Sequence, residues 1–91
     1  MFIIHAGKNY RRSLKRLNKV KNFDLERLND VINILASGQE LPRIYLDHAL
    51  TGDWIGRREC HVQNDLLLIY KIDKGQLLLI MVNIGSHAEL F

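Results

Sequence analysis

Leu66-Leu67-Leu68-Ile69-Tyr70-Lys71-Ile72, Asp73-Lys74-Gly75-Gln76 and Leu77-Leu78-Leu79-Ile80-Met81-Val82-Asn83-Ile84 follow one another without a break. Two apolar runs of strand length, parted by four residues of turn chemistry, predict an antiparallel hairpin. Both runs are apolar on successive residues rather than alternate ones. Both faces of this sheet therefore need cover, from two helices on one side and from curvature or a partner on the other.

Upstream, Gln63-Asn64-Asp65 is a second turn. The segment Trp54 to Val62 alternates before it, with Arg58, Cys60 and Val62 on one face and Arg57, Glu59 and His61 on the other. A third antiparallel strand and a meander follow. Pro42 marks the loop that runs on through Asp47-His48-Ala49-Leu50-Thr51-Gly52-Asp53.

The N-terminal half switches period. Phe2 to His5 reads as a first strand ended by Gly7. From Lys8 to about Lys19, Tyr10, Leu14 and Leu17 fall at helical spacing, with Lys8, Arg11, Arg12, Lys15, Arg16 and Lys19 on the remaining surface. Asp24 is placed to cap a second helix, with Phe23 and Leu28 at the positions of a hydrophobic staple. Leu25, Leu28, Val31, Ile32 and Leu35 form its expected buried stripe, and Gly38 its stop. The order β-α-α-β-β-β predicts an α+β domain. Two N-terminal helices pack on one face of a twisted, mainly antiparallel sheet of about four strands.

The 91 residues allow one domain, 1–91, burying about 60–65 % of its unfolded surface. An apolar fraction of 47 % with 25 % charged residues suits a folded, soluble domain. The longest apolar run, Leu77 to Val82, is far short of the ~20 residues that cross a bilayer, so no membrane role is expected. The first residues show no signal peptide, and the lone Cys60 fits a reducing cytoplasm. Charge is unevenly placed: residues 1–43 carry nine Lys/Arg against four Asp/Glu, and residues 44–91 carry four against six. A basic N-terminal half points to a polyanion or an acidic partner helix, or else to a plain solvated face.

Three of the four histidines, His48, His61 and His87, lie beyond the two expected helices, in the C-terminal half. Imidazoles titrate near neutrality, so a cluster of them is a natural acid/base set. Asp65, across a tight turn from His61, offers a nearby carboxylate. A single histidine at such a place is more often a hydrogen-bonded surface or core residue; three on neighbouring sheet ends shift the balance. Zinc lacks support. Cys60 and His61 point to opposite faces of a strand, and no Cys-x-x-Cys or His-x-x-x-His pair occurs. Cys60 itself reads as a packing residue, and neither a phosphate-binding Gly-rich loop nor a serine-hydrolase motif is present.

Four segments carry a family resemblance: Asp47 to Trp54, Arg58-Glu59-Cys60-His61, Asp65 to Lys71, and Gly85-Ser86-His87-Ala88-Glu89-Leu90-Phe91. In this order and register they resemble the YafQ branch of the RelE toxins; the N-terminal half matches in pattern only. The resemblance implies a RelE-like fold and a type II toxin, an mRNA interferase cutting messenger in the ribosomal A site and silenced by a cognate antitoxin. Carried over, His48, His61, Asp65 and His87 would be catalytic, and Phe91 would hold substrate unless it anchors in the core. Arg57 and Lys71 would steady phosphates, Glu59 is a weaker substrate-site candidate, and Arg58 is expected in a structural ion pair. One position departs from the pattern. The best-known member has Trp after the matching aspartate, whereas this chain has Leu66, which cannot supply the ~1–3 kcal/mol of base stacking.

The implied chemistry uses the RNA 2′-OH as nucleophile, needs no metal or cofactor, and leaves a 2′,3′-cyclic phosphate and a 5′-OH. His87 or His48 would be the acid, with His61 and Asp65 on the base side. The basic first helix would meet ribosomal RNA. Two alternatives stand beside it: a catalytically weak RelE-fold binding module that acts with an antitoxin on operator DNA, touching DNA only through that antitoxin, and a metal-free ribonuclease acting on free RNA.

Overall fold

The computed structural model describes residues 1–91. Strand β1 (Ile3–Ala6) leads into helices α1 (Lys8–Leu17) and α2 (Leu25–Ala36); β2 (His48–Ala49), β3 (Arg58–Gln63), β4 (Leu66–Asp73), β5 (Leu78–Gly85) and a short α3 (His87–Leu90) follow. The sheet order is β1-β5-β4-β3-β2, with β1 parallel to β5 and every other pairing antiparallel.

The helix ends obey their local chemistry. The Asp24 carboxylate accepts the Arg27 N–H and caps α2. At the other end Gly38 takes φ +84°, and Gly38 and Gln39 donate to the carbonyls of Leu35 and Ile34, a Schellman closure. Leu28, Val31 and Leu35 of α2 and Tyr10 of α1 pack on Cys60, Val62, Leu66, Leu68, Tyr70, Leu79, Met81 and Ile84. Even positions of β4 thus face the helices. In β5 both Met81 and Ile84 reach that core, because the register slips between Ile69 and Tyr70 and changes the parity of the strand.

The other face has its own small core. Leu67 and Ile69 are buried with Leu90 of α3, against Leu50, Trp54 and Val82. The cover expected from curvature or a partner comes, at this end, from the chain's own last helix and the 50–54 loop.

Five strands replace about four, because His48–Ala49 pairs with Arg58 and Glu59 inside the stretch read as loop. The third strand begins at Arg58 rather than Trp54. A 3-10 turn over Gly52–Trp54 and Gly56 at φ +90° hold the preceding residues out of the ladder. Leu25 is not in the stripe. It lies at the first helical position and is 45 % exposed. Ser13, not an apolar residue, is buried on α1 and donates to the Asn83 side chain at 2.8 Å. No helix is long and apolar enough to cross a membrane.

Gly7 is where α1 meets the sheet. Its N–H donates to the Met81 carbonyl at 2.9 Å, and a Cβ there would stand 2.7 Å from that oxygen. Gly7→Ala is expected to destabilise the fold by about 1–3 kcal/mol, as overpacking does. In a domain of this size each kcal/mol lowers Tm by roughly 4–8 °C, which a thermal melt would read.

Candidate active site

Strand register assembles the site. His61 of β3, Leu67 of β4 and Gly85 of β5 lie in one row across the sheet, at the end where β3 turns into β4 and β5 runs into α3. His48 of β2 stands directly across from Glu59, so His48, Glu59 and His61 share a face.

Asp65 closes the β3–β4 turn at φ +45°, a conformation aspartate tolerates. Its Oδ1 accepts the backbone N–H of His87 at 3.1 Å and lies 3.3 Å from His87 Nδ1. That backbone hydrogen bond is the main reason the Asp65 carboxyl sits below the ordinary aspartate range; desolvation opposes it, and the His87 side chain adds to it. Next to it, Ser86 and Glu89 form a reciprocal capping box: the Ser86 hydroxyl accepts the Glu89 N–H, and Glu89 accepts the Ser86 N–H. These bonds to Ser86 draw the Glu89 carboxyl below its usual value.

His87 is left 60 % exposed, with only its Nδ1 engaged. The His61 ring stands 5.9 Å from it, centroid to centroid, at 64°. His61 Nε2 lies 3.5 Å from Glu59 Oε1, and His48 Nε2 lies 3.7 Å from the same oxygen. The Glu59 side chain is only 4 % exposed. His48 Nδ1 is 2.8 Å from the Leu46 carbonyl, so that nitrogen is the donor and Nε2 turns toward Glu59.

An aromatic chain borders the imidazoles. Phe91 is half-exposed, 6.1 Å from the His87 ring and edge-on to Trp54 at 5.2 Å. The Arg57 guanidinium lies over the Trp54 ring at 5.9 Å.

The four expected catalytic residues come together, but with different partners. Asp65 serves His87, and the carboxylate beside His61 is Glu59. Glu59, expected as a weaker substrate-site candidate, is nearly buried with its Oε1 facing the Nε2 atoms of His48 and His61, so little of it is open to a substrate. Phe91 is not a core anchor. Lys71 is exposed on β4, four residues along the strand from Leu67, the partner of His61. Trp54 was not singled out from the sequence; being the lone tryptophan in a glycine-flanked turn was the available signal.

Arg58 faces away from the site and pairs with Asp47 at 3.0 Å, and Asp47 also accepts from the Tyr70 hydroxyl. The hydrogen bond to Asp47 raises the Arg58 pKa, and burial together with Asp47 raises that of Tyr70. Burial pushes the Cys60 thiol up to about 12, so it stays protonated and unreactive. No three His, Cys, Asp or Glu side chains are arranged to hold a metal ion.

A family model described as "Bacterial toxin of type II toxin-antitoxin system, YafQ" matches residues 3–91. The chain belongs to the YafQ toxin family. It is 38 % identical over 90 residues to the mRNA interferase toxin YafQ of Escherichia coli K12, an alignment spanning 97 % of this chain and 94 % of that one. A metal-bound toxin from Helicobacter pylori matches it over the whole of both chains, at a TM-score of 0.92 and 44 % identity. A chain of the E. coli DinJ-YafQ complex matches with a TM-score of 0.88 at 32 % identity, covering 100 % and 99 % of the two chains.

The site's electrostatics are open to measurement. By carboxyl NMR, Asp65 is expected to titrate below the ordinary value of about 3.9. In His87→Ala the midpoint should rise only partway, because the backbone N–H remains. Since the folded-state value is depressed, the contribution of Asp65 to stability is present above about pH 4 and fades as pH falls through the lower midpoint.

Proposed function

We propose that this YafQ-family toxin is a metal-independent endoribonuclease that cleaves messenger RNA on the ribosome through its own histidines. The observation that carries the reading is the convergence of three imidazoles at one open end of the sheet, each with a nitrogen tied to a partner and none spent in the core. A relative named as an mRNA interferase supports the substrate class.

RNA supplies its own nucleophile. The 2′-OH loses a proton and attacks the adjacent phosphorus; the 5′-oxygen leaves as it gains one. The products are a 2′,3′-cyclic phosphate and a 5′-OH. His87 is the acid: Asp65 holds its Nδ1 side and leaves Nε2 to the leaving oxygen. His61, held by Glu59, stands on the base side, and His48 flanks the same carboxylate. Arg57 and Lys71 meet phosphate charge, and Phe91 with Trp54 offers rings to a base. The exposed cations of α1 engage ribosomal RNA.

The partners are a cognate antitoxin, as in the DinJ-YafQ complexes, and the ribosome with its message; operator DNA is reached only through the antitoxin. The compartment is the cytoplasm.

His87→Gln should lower cleavage of message on programmed ribosomes by about 10²–10⁴-fold with circular dichroism unchanged, the range of one acid/base group. Toxin stripped of metal by dialysis against EDTA should keep the wild-type rate when added to programmed ribosomes in magnesium buffer, and mass spectrometry should find the cyclic phosphate on the upstream fragment. Undiminished cleavage by the variant would remove the mechanism, and a stripped toxin that stays inactive in magnesium until a transition-metal ion is returned would remove its metal-free part.

A further inference from the structure

Beside the candidate active site, sharing Asp65, Ser86 and Glu89 with it, lies a groove of about 340 Å³. Leu17, Val20, Phe23 and Leu66 give it an apolar lining, and Asn22 and Asn64 line it as well. Asp65, Ser86 and Glu89 form its other side, so it opens directly onto the element that carries His87.

The groove is built rather than incidental. Gln63 lashes its two walls together: its Oε1 accepts the Asp24 N–H at 2.8 Å, and its Nε2 donates to the Asn22 carbonyl at 2.9 Å. Both carboxylates in it are already committed, Asp65 to His87 and Glu89 to the Ser86 N–H. What remains for a ligand is apolar surface, two free amides and a cationic rim. Lys19 and Lys21 are exposed next to the lining residues, and Arg16 lies close enough to act on Glu89.

We infer that this groove takes one nucleobase of a single-stranded RNA, the one neighbouring the scissile phosphate, with the adjoining backbone phosphates on Arg16, Lys19 and Lys21. The volume sits at the low end of small-ligand sites, which fits one planar ring and not a helix of a partner protein. Apolar walls serve the ring faces, amides serve its polar edge, and a positive rim serves the strand that carries it. Leu66 forms part of this lining, so the position that lacks a stacking ring still helps to shape the recess. The inference rests on the ribonuclease reading for its substrate, but its test does not depend on cleavage.

A 2′-deoxy trinucleotide, which cannot be cleaved for want of the nucleophile, is titrated into the full-length toxin. The methyl resonances are followed by NMR. Those of Leu17, Val20 and Leu66 should shift, while the exposed Ile3 and Ile44 should not. On programmed ribosomes, Val20→Glu and Asn64→Ala should each reduce kcat/KM by about tenfold and alter the base preference at one position next to the cut. Methyls unmoved by the oligonucleotide, or moved only by an antitoxin, would overturn the base site. So would variants that leave both rate and base preference unchanged. Active His87→Gln together with shifted methyls would instead sink the catalytic reading and leave the groove standing as an RNA site.

Discussion

A single carboxylate oxygen ties the two ends of the site together. Asp65 Oδ1, at the tip of the β3–β4 turn, accepts the N–H of the first residue of α3 and meets that residue's imidazole as well. Without it, a helix of only four residues would have little to hold its direction as the chain leaves β5. With it, and with the Ser86–Glu89 capping box, His87 is fixed beside His61, and Leu90 is turned down onto Leu67 and Ile69. Fixing the catalytic candidate and sealing the second face of β4 are one structural event.

The same economy holds on the far side of β3. Asp47 and His48 are neighbours in sequence and point to opposite faces. Asp47 is gripped by Arg58 and Tyr70 on the helix side. That grip leaves His48 facing Glu59. Arg58 thus holds the residue next to His48 although it touches none of the imidazoles. Because the Arg58–Asp47 pair is partly exposed, its value is positional more than energetic.

Burial decides what each carboxylate does. Glu59, nearly sealed, faces two imidazoles from below, while Asp65 lies in water and holds the first residue of α3. The aromatic row from Arg57 through Trp54 to Phe91 links core to surface: Trp54 packs on the second core while its ring edge supports a half-exposed Phe91. A residue that stabilises the fold and a half-exposed ring at the site are therefore in contact.

Local signals carried the elements: the hairpin around Asp73–Gln76, the Asp24 cap, the Gly38 stop and the cationic face of α1 all rest on residues close in the chain. The chemistry-bearing residues were also readable, since His48, His61, Asp65 and His87 stand out by type and by family pattern. The Ser86-His87-Ala88-Glu89 cap that starts α3 was equally present in the sequence, hidden by the brevity of the helix. Only the tertiary structure decided which carboxylate meets which imidazole, that Phe91 leans on Trp54, and that a groove opens beside His87. Those outcomes depend on two register slips, between His61 and Gln63 and between Ile69 and Tyr70, each of which changes side-chain parity beyond it. Local chemistry sets a strand's existence, whereas its register is set by packing among residues tens of positions apart.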